Sequence, residues 1–128
     1  MRPIVLLAGE DLQQLFNVVI DLSPKTISPM VLESEYPVAS LLKRPAPEAD
    51  VAIVGLDNRT NVVELRELFA AHPETHFIFL EPEFPPHAAV ARIVTSNGGV
   101  ILRSYESPVV IAATMIGMLS IKSGSTAS

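Results

Sequence analysis

A chain of 128 residues, 48% of them hydrophobic and none of them cysteine, is one domain able to close a core without staples. Its composition excludes a second domain, disulfides and thiolate metal sites. The net charge of -5 and nine scattered Lys and Arg residues exclude the clustered basic surface that nucleic-acid phosphates require, so no direct nucleic-acid contact is expected. Met1-Arg2-Pro3 and a short apolar run do not make a signal peptide. A cytoplasmic location with no membrane contact is expected.

The first apolar run, Pro3 to Ala8, suits a strand covered on both faces, and Gly9-Glu10-Asp11 ends it. Asp11 is then expected as the N-cap of a helix whose buried stripe is Leu12, Leu15, Phe16, Val19 and Leu22. A turn at Ser23-Pro24-Lys25 leads to a second strand, Pro29 to Ser34, whose leading proline fits a sheet edge. Val38, Leu41 and Leu42 mark a short second helix, stopped by Pro45-Ala46-Pro47. Ala49 to Gly55 is the third strand, and Val62, Leu65, Leu68 and Phe69 give the third helix its stripe before His72-Pro73. Thr75 to Leu80 is an aromatic, β-branched fourth strand closing on Glu81-Pro82-Glu83. The fourth helix runs from His87 to Ser96 and stops at Asn97-Gly98-Gly99, where glycine suits a left-handed cap. Val100 to Arg103 is the fifth strand. Ser107 caps the fifth helix, with Pro108 in its first turn and Ile121 at its end.

Strict alternation of strand and helix predicts an α/β three-layer sandwich with a parallel sheet in the order 2-1-3-4-5. In such a sheet the loops after strands one, three and four converge on the place where a ligand or reactive group sits. Here they carry Gly9-Glu10-Asp11, Gly55-Leu56-Asp57-Asn58 and Glu81-Pro82-Glu83. His72, His76 and His87 have no ligand-like spacing, and no phosphate-binding glycine motif or nucleophile elbow occurs. Nothing specific supports an enzyme. Glu10, Asp11, Glu81 and Glu83 are oxygen ligands of the kind a hard cation takes, but Glu10 and Asp11 read rather as the start of a helix, where the dipole favours negative charge, and no metal or cofactor is expected.

Five βα units, the segment Ala49-Asp50-Val51-Ala52-Ile53-Val54-Gly55-Leu56, and Gly99-Val100-Ile101-Leu102-Arg103 followed by Ser107-Pro108 resemble a response-regulator receiver domain. The last segment is most similar to the receivers of LuxR-type transcriptional regulators. The resemblance implies a flavodoxin-like (βα)5 fold. It also implies a phosphorylation site made of an acid pair that holds magnesium, an aspartate acceptor, a switch hydroxyl and a lysine, all serving the concentrated charge of an aspartyl phosphate. Carried over, the acid pair falls on Ala8-Gly9 or Gly9-Glu10 and the acceptor on Gly55. The switch hydroxyl falls on Glu81, and the lysine on Arg103 or Ser104. Glycine has no atom to phosphorylate, and Asp57 lies about 6 to 7 Å further along an extended chain. Asp57 and Asn58 read instead as loop or N-cap residues. The site reads as dismantled on an intact framework, a pseudo-receiver in which Glu81 is expected to pair with Arg103 in a salt bridge across the vacated pocket.

Val109 to Ile121 contains no charge and is apolar nearly all round. With Ile111, Met115 and Met118 turned to the sheet, Val109, Ala113, Ile116 and Ser120 remain as an outward patch expected to make a homodimer contact. Residues 1–121 are expected to form the domain and 122–128 a flexible linker toward a DNA-binding output domain. The expected function is a phosphorylation-independent receiver acting as a dimerisation or protein-interaction module of a transcriptional regulator. The alternative is a small-molecule-sensing domain that uses the vacated strand mouth.

Overall fold

The computed structural model describes residues 3–22, 27–43, 48–57, 59–81, 88–103 and 107–126, with side chains to residue 119 in the last segment. The elements alternate as β1 (Ile4–Gly9), α1 (Gln13–Leu22), β2 (Ser28–Glu33), α2 (Pro37–Lys43), β3 (Val51–Gly55), α3 (Val62–Ala71), β4 (His76–Glu81), α4 (Ala88–Ser96), β5 (Val100–Arg103) and α5 (Pro108–Thr126). All strand pairs are parallel, in the order β2-β1-β3-β4-β5. This is the expected flavodoxin-like arrangement. The Ser23-Pro24-Lys25 turn, the Pro45-Ala46-Pro47 stop, Asn58, Pro82, Glu83, His87 and Ser104 lie outside the described residues, as does the side chain of Ser120. Among the described residues, no helix is long and apolar enough to cross a membrane.

The period of two along each strand sorts the core into two clusters, one per sheet face. Leu6, Ala8, Ala52, Val54, Phe77 and Phe79 pack under α2, α3 and α4. Val5, Leu7, Val51, Ile53 and Ile78 pack under α1 and α5. The central strands are apolar on both faces because both faces are covered. Phe69 of α3 meets Phe77 and Phe79 edge-on, at 5.3 and 5.9 Å between ring centres, and so joins helix to strand.

At the sheet edge, Ser28 and Ser34 donate backbone bonds inward to Pro3 and Gly9. The intervening odd-numbered residues of β2 therefore turn their backbone groups outward. Pro29 is one of them, and it has no N–H to offer, which blunts the exposed edge against further pairing.

Two helix boundaries differ from expectation. The carbonyl of Leu12 accepts the first bond of α1 from Phe16, so Leu12 is the residue at the cap, while Asp11 sits in the left-handed region at φ 53°. Burial of Leu12 in the second cluster overrides the capping preference of Asp11. The last residue of the expected stripe, Leu22, is 47% exposed, because α1 ends there and clears the sheet. At the other end of the chain α5 continues past Ile121 to Thr126. No proline follows Ile121, and an interior glycine such as Gly124 costs only about 1 kcal/mol.

The stop of α4 is as expected and well defined. Gly98, at φ 76°, donates to Thr95, and Gly99 donates to Val94 at 2.9 Å, the paired bonds of a Schellman motif. A Cβ at Gly99 would lie 2.8 Å from Cγ1 of Val94 and 3.1 Å from its carbonyl oxygen. Val94 is fully buried and β-branched, so it has no room to yield. Gly99→Ala is expected to lower stability by about 1–3 kcal/mol, read as a shift in the urea midpoint at unchanged slope.

Candidate functional site

Strands β1 and β3 pair from Val5↔Val51 to Ala8↔Val54, which brings their carboxyl ends together. Both end in glycine. An ideal Cβ on Gly55 would meet Ala8 O and Pro37 Cγ at 3.7 Å and Gly9 Cα at 3.8 Å, so the two glycines abut with no side chain between them. The result is an open cleft of about 540 Å3 at the mouth of the sheet.

Of the residues expected there, Ala8, Gly9, Glu10, Gly55 and Asp57 line the cleft. Glu81 and Arg103 do not: the salt bridge expected between them forms, but beside the cleft and not across it. The β3–β4 register pairs Gly55 with Leu80, so Leu80 shares the face of Gly55 and lines the cleft in Glu81's stead. Glu81 pairs with Arg103 at the ends of β4 and β5, with Nε 3.6 Å from Oε1 and the Arg103 side chain 60% exposed. In that solvent the pair contributes less than about 1 kcal/mol.

Asp57 holds its own loop. Its Oδ1 accepts the Arg59 amide at 2.7 Å, and its amide donates to Oγ1 of Thr60 at 3.3 Å. The cap of α3 is Asn61 and not Asp57: its Oδ1 accepts the Glu64 amide while its Nδ2 donates to Glu64 Oε1. The cap bond is thus reinforced by a side-chain bond between the same two residues, and Asp57 is left to shape the turn before it.

Sequence reasoning passed over the loop after β2, which supplies another wall. Ser34 Oγ contacts Ser40 Oγ at 2.6 Å and accepts the Tyr36 amide at 3.1 Å. Tyr36 is the cap residue of α2, its carbonyl accepting from Ser40, and Pro37 takes the first helical position. This geometry presents the Tyr36 ring to the cleft, where the guanidinium carbon of Arg59 lies 4.5 Å from the ring centre. The signal available in the sequence was an aromatic residue and a cation, each within a few residues of a strand's carboxyl end.

The residues at this mouth do not fit the magnesium ion that the receiver resemblance implies. Gly55 supplies no side-chain donor, and among the described residues no three His, Cys, Asp or Glu side chains gather where they could hold a metal. No step through a metal follows from this geometry.

The glycine at 55 is not demanded by the backbone, since the positive-φ glycines among the described residues are Gly9 and Gly98. Gly55→Ala is accordingly expected to keep the fold and to gain about 0.4–1 kcal/mol by restricting the unfolded chain. Thermal and urea unfolding would check this; a loss of more than about 1 kcal/mol would mean that the mouth is tighter than the contacts at 3.7 Å allow.

No protein-family model matches the chain, and no curated protein sequence does. Solved structures do. The protein cpaE from Burkholderia thailandensis, named for pilus assembly, matches with a TM-score of 0.66 at 15% identity over 92% of this chain and 98% of its own. An adenylate cyclase from Rhodopirellula baltica matches at 0.62 and 15% identity, over 98% and 96% of the two chains. A response-regulator receiver domain protein from Clostridium thermocellum matches at 0.59 and 15% identity, over 94% and 97%. Likeness at such identity concerns backbone architecture alone, and on that architecture the chain has the fold of a response-regulator receiver domain.

Proposed function

We propose that this domain is a phosphorylation-independent receiver, a regulatory module that signals by binding protein and not by accepting phosphate. The observation that carries the reading is Gly55 at the end of β3, lining the cleft with no side chain to phosphorylate. Asp57, the nearest carboxylate along the chain, is engaged by the amide of Arg59 and belongs to the turn. The framework around the mouth is nonetheless complete, with both sheet faces packed. Incubation with acetyl phosphate and Mg2+ is expected to leave the mass of the protein unchanged. A stable adduct on Asp57 or any other carboxylate would overturn the reading.

The surface proposed to carry the signal is α5, as a homodimer contact. Val109 and Val110 are 52% and 44% exposed, and Ala113 and Gly117 are exposed beside them, so the strip is apolar and uncharged. Ile116 is a correction within that patch: it is half-buried and packs against the cluster under α1 and α5. The helix rolls Ile116 toward the sheet because Ala112 and Met115 are its buried neighbours. Ala113→Glu therefore tests the contact without wounding the core. Sedimentation is expected to show a dimer for the unaltered protein and a monomer for Ala113→Glu; two monomers would end the proposal.

A LuxR-type DNA-binding domain is the proposed output, supported by the sequence from Gly99 to Pro108. Proteins of this fold carry names as different as pilus assembly protein and adenylate cyclase, so the output rests on that segment and not on the fold. A second reading, small-molecule sensing at the strand mouth, is favoured by the cleft itself, whose volume of about 540 Å3 lies in the range of ligand sites.

A further inference from the structure

One wall of the cleft is itself an interaction between a cation and a ring. Tyr36, Asp57 and Arg59 line both the main cleft and a neighbouring hollow of about 310 Å3 that reaches Lys43 and Glu64. The stacked Arg59–Tyr36 pair is thus the partition between two cavities. Arg59 is exposed, and among the described residues its guanidinium forms no ion pair. What holds the side chain over the ring is the turn set by Asp57 together with the attraction of the ring face for positive charge.

We infer that the cleft binds a small organic cation, an amine or guanidinium compound, which takes the place of Arg59 on the face of Tyr36. The inference rests on the second, ligand-sensing reading and names its chemistry. The ring already holds a cation at 4.5 Å, and its quadrupole attracts a ligand's charge as it does the chain's own. The cleft is lined by four carboxylates, Glu10, Asp11, Glu35 and Asp57, against the one guanidinium of Arg59, so its field favours positive ligands. A bare metal ion does not suit it, since no three such side chains converge among the described residues. An organic cation does, because its charge can stand on the ring while its body fills the floor that Gly9 and Gly55 leave open. Displacing Arg59 moves an exposed side chain into water and joins the two hollows.

Arg59 is then a built-in competitor, which makes an unusual prediction. Agmatine, carrying both an amine and a guanidinium group, is titrated at constant ionic strength while the backbone amides are followed by NMR. Saturable shifts are expected at Gly9, Gly55, Tyr36 and Arg59. Arg59→Ala should bind about two- to five-fold more tightly, since the internal cation is gone. Tyr36→Leu should bind about ten-fold or more weakly, and Tyr36→Phe, which keeps the ring, should bind as the unaltered protein does. No saturable shift up to about 10 mM in either the unaltered protein or Arg59→Ala would overturn the inference. So would binding that Tyr36→Leu leaves untouched, or weaker binding in Arg59→Ala. Glutarate and a neutral diol serve as controls: saturable binding of either in place of agmatine would sink the cationic class while leaving the ligand-sensing reading standing.

Discussion

Burial of β1 and β3 on both faces is the constraint on which the rest of the molecule depends. Val5, Leu7, Val51 and Ile53 lie fully buried on one side, and Ala8, Ala52 and Val54 on the other. Strands of that kind must be covered by helices above and below, and parallel pairing with crossover helices achieves the covering. Once the two strands pair in register, their ends must coincide, and the mouth of the sheet is made there. The chemistry of the mouth then depends on what those ends carry. They carry two glycines.

The receiver fold is complete here, and its β3 ends in a glycine, with no side-chain carboxylate at that position. The neighbouring groups have structural employment: Asp57 bonds the amide of Arg59, and Glu81 pairs with Arg103 along the β4–β5 edge. Such arrangements are local and small in energy, far below the two apolar clusters that hold the sandwich together. The mouth is therefore free to change its chemistry without loss of the fold. That separation of scaffold from site is why an architecture shared at 15% identity with proteins of different names says little about what each of them does.

The two ends of the sheet differ in the same spirit. At the amino end, Asp50 Oδ2 accepts the Ile4 amide at 2.8 Å and Thr75 donates to the Ala49 carbonyl at 2.6 Å, so polar side chains tie strand starts to one another. At the carboxyl end the side chains open outward around a cleft instead. The open volume lies at the carboxyl end, as expected where a rigid sheet positions loops that meet a ligand or partner.

The order of elements, the sheet order and the missing carboxylate at residue 55 were legible in the sequence, because each is local: a period of two or near four, a proline or glycine at a boundary, the identity of one residue. The stop at Gly98-Gly99 was legible for the same reason. The membership of the cleft was not. Leu80 replaces Glu81 there because the β3–β4 register decides which residue shares the face of Gly55, and register is a property of two strands together. Tyr36 and Arg59 meet because two loops from different βα units approach across the mouth, and neither loop carries a periodic signal of its approach. Half-burial of Ile116 likewise follows from how α5 rolls against its neighbours and not from its own stripe. The sequence by itself determined the scaffold and what the site lacks; the tertiary structure decided which side chains surround the space left behind, since contacts between distant segments are set by packing and not by local pattern.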